Sequence, residues 1–156
     1  YSAGAFIALA VTRELEARGR AVRRLIFLDA YRPTPALLDS PARLRELKEW
    51  LFSALAQHPA AEGDALDLAP RRAWYDRCLG LAAGAPVAAD IHLITAQDRE
   101  TSELFQDWSA ATSGGHHIHH GSGSHLEMLR HPFVKDNHRI LMSIMTKKQD
   151  QGGSWS

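Results

Sequence analysis

Three residue types spaced along this chain could together perform acyl chemistry: a serine in a small-residue turn, an aspartate after an apolar stretch, and a histidine in a glycine-serine loop. The serine is Ser2, in Tyr1-Ser2-Ala3-Gly4-Ala5. Serine attacks a carbonyl only when a base takes its proton, and the base needs a third group to fix its tautomer and balance its charge. His125, in Gly121-Ser122-Gly123-Ser124-His125, is the best base available. Two aspartates compete for the third role, Asp29 and Asp98, each just past an apolar segment.

These residues need a scaffold, and the hydropathy pattern supplies one. Phe6, Ile7, Ala10, Val11 and Leu15 recur at helical spacing over Ala5 to Arg18, and Gly19 supplies a stop. Val22 to Leu28 follows, with the continuous apolar end of a strand buried on both faces of a parallel sheet. A small-residue turn that leads into a helix and then a buried strand matches the right half of a nucleophile elbow, G-x-S-x-G. The first glycine of that motif would lie one residue before Tyr1, so the chain is expected to be the C-terminal portion of a longer protein.

Beyond Pro33 and Pro35, read as a linker, a helical stripe runs over Ala36 to Gln57 and a second over Arg71 to Ala83, with an acidic loop between them. Such an insertion between strands reads equally as a lid or as ordinary packing helices. Asp90 to Ala96 is expected to be a strand, Thr101 to Trp108 a capped short helix, and His116 to His120 a third strand. A helix is expected from His125 through Leu129, broken at Pro132, and a last one over Val134 to Lys147. Residues 149–156 read as a disordered tail. The fold class is α/β, a parallel sheet flanked by helices. In open sheets of this kind functional groups gather beyond the carboxyl ends of the strands, where Ser2 and Asp29 would both stand.

Composition narrows the function. Lys plus Arg equals Asp plus Glu, 18 each, which gives no electrostatic reason to expect nucleic acid or an anionic membrane as partner. No apolar run approaches the roughly 20 residues of a membrane span, and no basic segment followed by an apolar stretch opens the chain. A cytoplasmic location is the default expectation. The one cysteine, Cys78, reads as a small buried hydrophobe, and Trp50, Trp74 and Trp108 as core or lid packing. His116, His117, His119 and His120 alternate across a strand, two to a face, without a nearby carboxylate or cysteine to complete a tetrahedral set. They read as a solvated strand, and no metal is expected.

The order Ser2, aspartate, His125 is that of the α/β hydrolases. Tyr1-Ser2-Ala3-Gly4, Leu28-Asp29-Ala30-Tyr31, Trp108, Gly123-Ser124-His125-Leu126-Glu127-Met128-Leu129 and Asp136-Asn137-His138-Arg139-Ile140-Leu141 together resemble the terminal thioesterase domain of nonribosomal peptide and polyketide synthetases. The resemblance covers about residues 1 to 146. It implies a partial α/β-hydrolase fold over residues 1–148 with a helical lid at about 36–83. It favours Asp29 over Asp98, because in that family the acid follows the strand after the nucleophile helix. It further implies that the catalytic residues are Ser2, Asp29 and His125, with the backbone N–H of Ala3 in the oxyanion hole and a second donor from an upstream loop. No cofactor is implied for the domain itself. The substrate would be a peptidyl or polyketide chain on the phosphopantetheine of an acyl or peptidyl carrier domain, released by hydrolysis or macrocyclisation. A stand-alone editing thioesterase, an esterase, or a noncatalytic hydrolase-like fragment are the competing readings.

Overall fold

The computed structural model describes residues 1–56, 68–97, 105–106 and 108–146. The elements run α1 (Gly4–Ala17), β1 (Arg24–Leu28), β2 (Arg32–Pro33), α2 (Pro35–Leu38), α3 (Pro41–Ala56), α4 (Leu68–Gly80), β3 (Asp90–Thr95), β4 (Phe105–Gln106), β5 (His116–His120) and α5 (Val134–Thr146). β1, β3 and β5 form a parallel sheet in that order, with Arg24 to Leu28 in register with Asp90 to Ile94, and Ile91 to Thr95 with His116 to His120.

Strand alternation sorts the apolar side chains onto two faces. Leu25, Phe27, Ile91 and Leu93 pack with Ala5, Phe6 and Leu9 of α1 and with Trp108 in the larger core cluster. Ile26, Leu28 and Ile94 point the other way, against Ile140, Leu141 and Ile144 of α5 and against Met128. This two-sided burial is why the strands read as nearly continuous apolar runs. The buried stripe of α1 is Ala5, Phe6, Leu9 and Thr12, whereas the expected Ile7, Val11 and Leu15 are exposed. Gly19, at φ +70°, ends that helix: the Arg20 N–H donates to the Leu15 carbonyl at 2.8 Å, the long bond of a Schellman cap.

Several expectations are corrected. The helix expected over 36–57 is two helices, because Ser40 precedes Pro41 and a pre-proline residue is steered away from helical backbone. Thr34 caps the first of them by accepting the Leu37 N–H, with Pro35 at its first position. The stretch read as a proline linker contributes β2, antiparallel to β4, and Tyr31 packs on Phe105 with ring centroids 5.3 Å apart. Phe105 and Gln106 are therefore strand rather than part of a capped helix, a case of tertiary pairing overriding a local signal; Thr101 to Leu104 lie outside the described residues. Residues 125–129 form a turn, not a helix: the Ser124 carbonyl accepts the N–H groups of both Glu127 and Met128. Trp50 and Trp74 are exposed at 64% and 47%, so neither is core.

Helices α3 and α4 are not loosely attached. Cys78, Leu79 and Ala82 are buried in the larger cluster, Tyr75 meets Phe52 edge-on, and Arg13 of α1 donates to the carbonyls of Leu81, Ala83 and Ala85. Among the described residues no helix is long and apolar enough to cross a membrane.

Trp108 is fully buried between Phe6 and Phe27, and its indole N–H donates to the Ala30 carbonyl at 2.8 Å. Trp108→Phe keeps most of the apolar volume but leaves that carbonyl without its donor. It should lower the unfolding free energy by about 1–3 kcal/mol in urea titrations, the usual cost of orphaning a buried polar group.

Candidate active site

The site is assembled where the carboxyl ends of β1 and β3 meet the start of α1. Ser2 takes φ +51° and Asp29 φ +39°; among the described residues they alone, glycines aside, have positive φ. Left-handed backbone is uncommon outside glycine and is found where surrounding structure enforces it. Here the enforcement is visible. The Ser2 N–H donates to the Leu28 carbonyl at 3.0 Å, and the Asp29 N–H to the Ile94 carbonyl at 2.7 Å. Both turns are thus pinned to the sheet.

The Asp29 side chain is only 2% exposed, yet both of its oxygens are engaged. Oδ1 accepts the Ala96 N–H at 2.9 Å and Oδ2 accepts His125 Nδ1–H at 2.6 Å. Burial pushes this carboxyl up. The hydrogen bonds from His125 and the Ala96 amide, the charge of a protonated His125 and the bond from Tyr31 outweigh it and hold the group below its ordinary 3.8. An ionised carboxylate only accepts hydrogen bonds, so Nδ1 carries the imidazole proton and Nε2 keeps the lone pair that a base needs. Tyr1 stacks on the His125 ring, centroids 4.9 Å apart and planes 21° from parallel, and its hydroxyl donates to the His125 backbone carbonyl. Burial first, then the negative charge of Asp29, pushes the Tyr1 phenol up to about 12, although Arg130 opposes this, so it stays a neutral donor.

The contacts therefore close on themselves. Ser2 is tied to the residue before Asp29, Asp29 to His125, and His125 to the residue before Ser2. Asp98, the competing aspartate, lies outside the described residues. Ala3 opens α1 with no side-chain cap, and the first turn holds no acidic residue. Its own N–H has no acceptor among the described residues. The next three N–H groups of the turn are taken, by the Tyr1, Ser2 and Ala3 carbonyls, so the Ala3 N–H is the open donor at the positive end of α1.

One residue whose part the sequence did not reveal is Asn137 of α5. It is 3% exposed and holds the loop that carries His125: Nδ2 donates to the Ser122 and Met128 carbonyls, each at 2.8 Å, while Oδ1 accepts the Ser122 N–H at 2.9 Å. A Cβ at Gly121 would stand 2.7 Å from that Oδ1, so the loop can come this close only as glycine. A polar residue inside an amphipathic helix was the available signal.

The chain has known relatives. Residues 1–141 match the family model described as the thioesterase domain. The chain belongs to the thioesterase-domain family. Enzymes of this family hydrolyse or transfer an acyl group held as a thioester. The domain is 30% identical over 150 residues to surfactin synthase subunit 3 of Bacillus subtilis (strain 168), spanning 93% of this chain and 12% of that protein. Among solved structures it resembles the thioesterase domain that cyclises the lipopeptide antibiotic surfactin, with TM-score 0.70 and 27% identity over 95% of this chain and 66% of that one. Human thioesterase 2 shares the fold, with TM-score 0.66 and 16% identity over 96% of this chain and 73% of that one.

Two outcomes follow for the thioesterase domain. Asn137→Ala should cost about 1–3 kcal/mol and slow turnover more than it weakens substrate binding, because it frees the His125 loop rather than the pocket; steady-state kinetics beside urea titration would separate the two. The second concerns acid. The depressed Asp29 carboxyl contributes stability that is whole above its ordinary value of 3.8 and is lost as pH falls through the lower folded value. The stability gap between wild type and Asp29→Asn should be constant above about pH 5 and narrow below about pH 4, read from denaturation midpoints across that range.

Proposed function

We propose that this thioesterase domain releases a carrier-bound peptidyl or polyketide chain through an acyl-enzyme on Ser2, and that Asp29 and His125 are the acid and base that drive it. The observation that carries this reading is the buried Asp29 carboxylate bonded to His125 Nδ1, with the serine turn tied to both. The strained backbone at Ser2 and the uncapped helix behind it support the same assignment.

In the first half, His125 Nε2 accepts the Ser2 hydroxyl proton as Oγ attacks the thioester carbonyl. The tetrahedral oxyanion takes a hydrogen bond from the Ala3 N–H at the positive end of α1, and a second donor comes from elsewhere in the protein. Collapse expels the carrier's phosphopantetheine thiolate, which receives the proton from His125. In the second half, water or an internal amine or hydroxyl of the acyl chain gives its proton to Nε2 and attacks the ester, and Ser2 leaves with that proton. The products are a free acid or a ring. Asp29 stays ionised throughout and balances the imidazolium that forms twice.

This chemistry calls for no resident cofactor, since the side chains provide nucleophile, base and counter-charge. Phosphopantetheine belongs to the substrate, and a carrier domain is the proposed partner. The likeness to the cyclising surfactin domain supports ring closure as one form of release, beside hydrolysis. Helices α2 to α4 fall within the stretch, about 36–83, proposed as a lid over the acyl chain, and Trp50 and Trp74 are exposed on them.

The test is covalent labelling of the intact protein by a serine-directed fluorophosphonate, read by mass. Wild type should gain one adduct on Ser2, and Ser2→Ala none. Asp29→Asn should lower the labelling rate by about 10⁴-fold and His125→Ala by up to about 10⁶-fold, whereas Asp98→Asn should leave it unchanged. Loss of labelling in Asp98→Asn with retention in Asp29→Asn would overturn the assignment.

A further inference from the structure

The histidines of β5 do not stand alone on their sheet face. His117 is in register with His92 of β3, and Asp90 lies two residues earlier on the same face of β3. The tetrahedral set that the β5 sequence lacks is therefore approached across the strands. One donor atom each from Asp90, His92 and His117 lies within 4.8 Å of the others. The cluster is at the amino ends of the strands, while Asp29 and His125 are at the carboxyl ends, so the two groups of residues are separate.

The hydrogen bonding around His92 is specific. Its Nδ1 meets Nε2 of His119 at 3.1 Å, so one ring nitrogen is taken. Its Nε2 is buried and has no hydrogen-bond partner. A buried ring nitrogen left in that state is costly unless something accepts its lone pair or its proton. When His92 Nδ1–H donates to His119, the ring is arranged as a metal ligand is: one nitrogen oriented by an outer group, the other presenting its lone pair. Asp90 is oriented too, with Oδ1 accepting the Gly115 N–H at 2.7 Å.

We propose that Asp90, His92 and His117 bind a divalent transition-metal ion of the zinc type, with His119 as the outer partner that fixes the His92 tautomer. Two imidazoles and one carboxylate suit Zn²⁺ with water in the fourth position. Ca²⁺ and Mg²⁺ prefer all-oxygen sets, and the absence of a thiol from the group disfavours soft Cu⁺. The His92 and His117 rings are stacked, centroids 4.6 Å apart and 18° from parallel, so their in-plane lone pairs run side by side. Loading requires one ring to turn, and His117, which is exposed, can do so. The bound ion would cross-link β3 to β5, the strand that leads into the His125 loop, and its role would be to brace that edge of the sheet.

The experiment is calorimetric titration of the chelator-treated intact protein with Zn²⁺, beside thermal melts and Co²⁺ absorption spectra. Wild type should bind one equivalent and melt higher with Zn²⁺, and Ca²⁺ and Mg²⁺ should do neither. His92→Gln and His117→Gln should abolish the binding, His119→Ala should weaken it about 10- to 100-fold, and His138→Gln should leave it intact. Co²⁺ should give visible bands distinct from the aqueous ion, bleached by one equivalent of Zn²⁺; this readout needs no variant to fold. An aqueous-like Co²⁺ spectrum with no Zn²⁺ heat overturns the proposal, as does binding that survives His92→Gln and His117→Gln. Binding lost in His125→Ala instead would put the ion at the proposed active site and also overturn it.

Discussion

The structure depends on one buried carboxylate. Asp29 sits at the end of β1 with almost no solvent contact, and a lone ionised group there would be strongly disfavoured. It is tolerated because its two oxygens find donors on two other segments, the Ala96 amide after β3 and the His125 ring after β5. Each donor comes from the loop that follows one of the other sheet strands. The carboxylate thus gathers the carboxyl ends of all three strands, and the bond that makes the charge bearable is also the one that orients His125, the proposed base.

Other contacts of the same region serve this arrangement. Trp108 holds the backbone just after Asp29, and the Ser2 amide holds the backbone just before it. Asn137 does for the His125 loop what the sheet does for Asp29, replacing the missing regular structure with a set of side-chain bonds. A histidine on a glycine-rich loop would otherwise lose substantial conformational freedom each time it had to meet the aspartate.

Much of this was legible in the sequence, and for identifiable reasons. Val22 to Leu28 and Asp90 to Ala96 could be read as strands because burial on both faces leaves an unmistakable apolar run, although the first strand begins at Arg24. The elbow could be read because its small residues answer a steric need. Less legible were features decided by distant partners. Phe105 and Gln106 became strand by pairing with Arg32 and Pro33, and His125 to Leu129 stayed a turn although its apolar spacing suggested a helix. The neighbours of the histidine cluster were hidden for the same reason: alternation told which β5 residues share a face, but only strand register brings His92 and Asp90 beside them. Trp50 and Trp74 are large and apolar and yet exposed, which helical stripes cannot distinguish from burial.

The left-handed backbone at Ser2 and Asp29 has a consequence for engineering. Glycine would relax the backbone at Ser2, since it alone adopts that conformation without steric cost, whereas at Asp29 it would also remove the carboxylate that gathers the strand ends. A library of this protein sorted for thermostability, without a screen for turnover, would be drawn toward glycine at Ser2, where the nucleophile is proposed to reside, and away from it at Asp29. Tolerance maps built from folding alone would rank the serine turn as improvable, and a campaign guided by them would trade the proposed nucleophile for a sturdier scaffold.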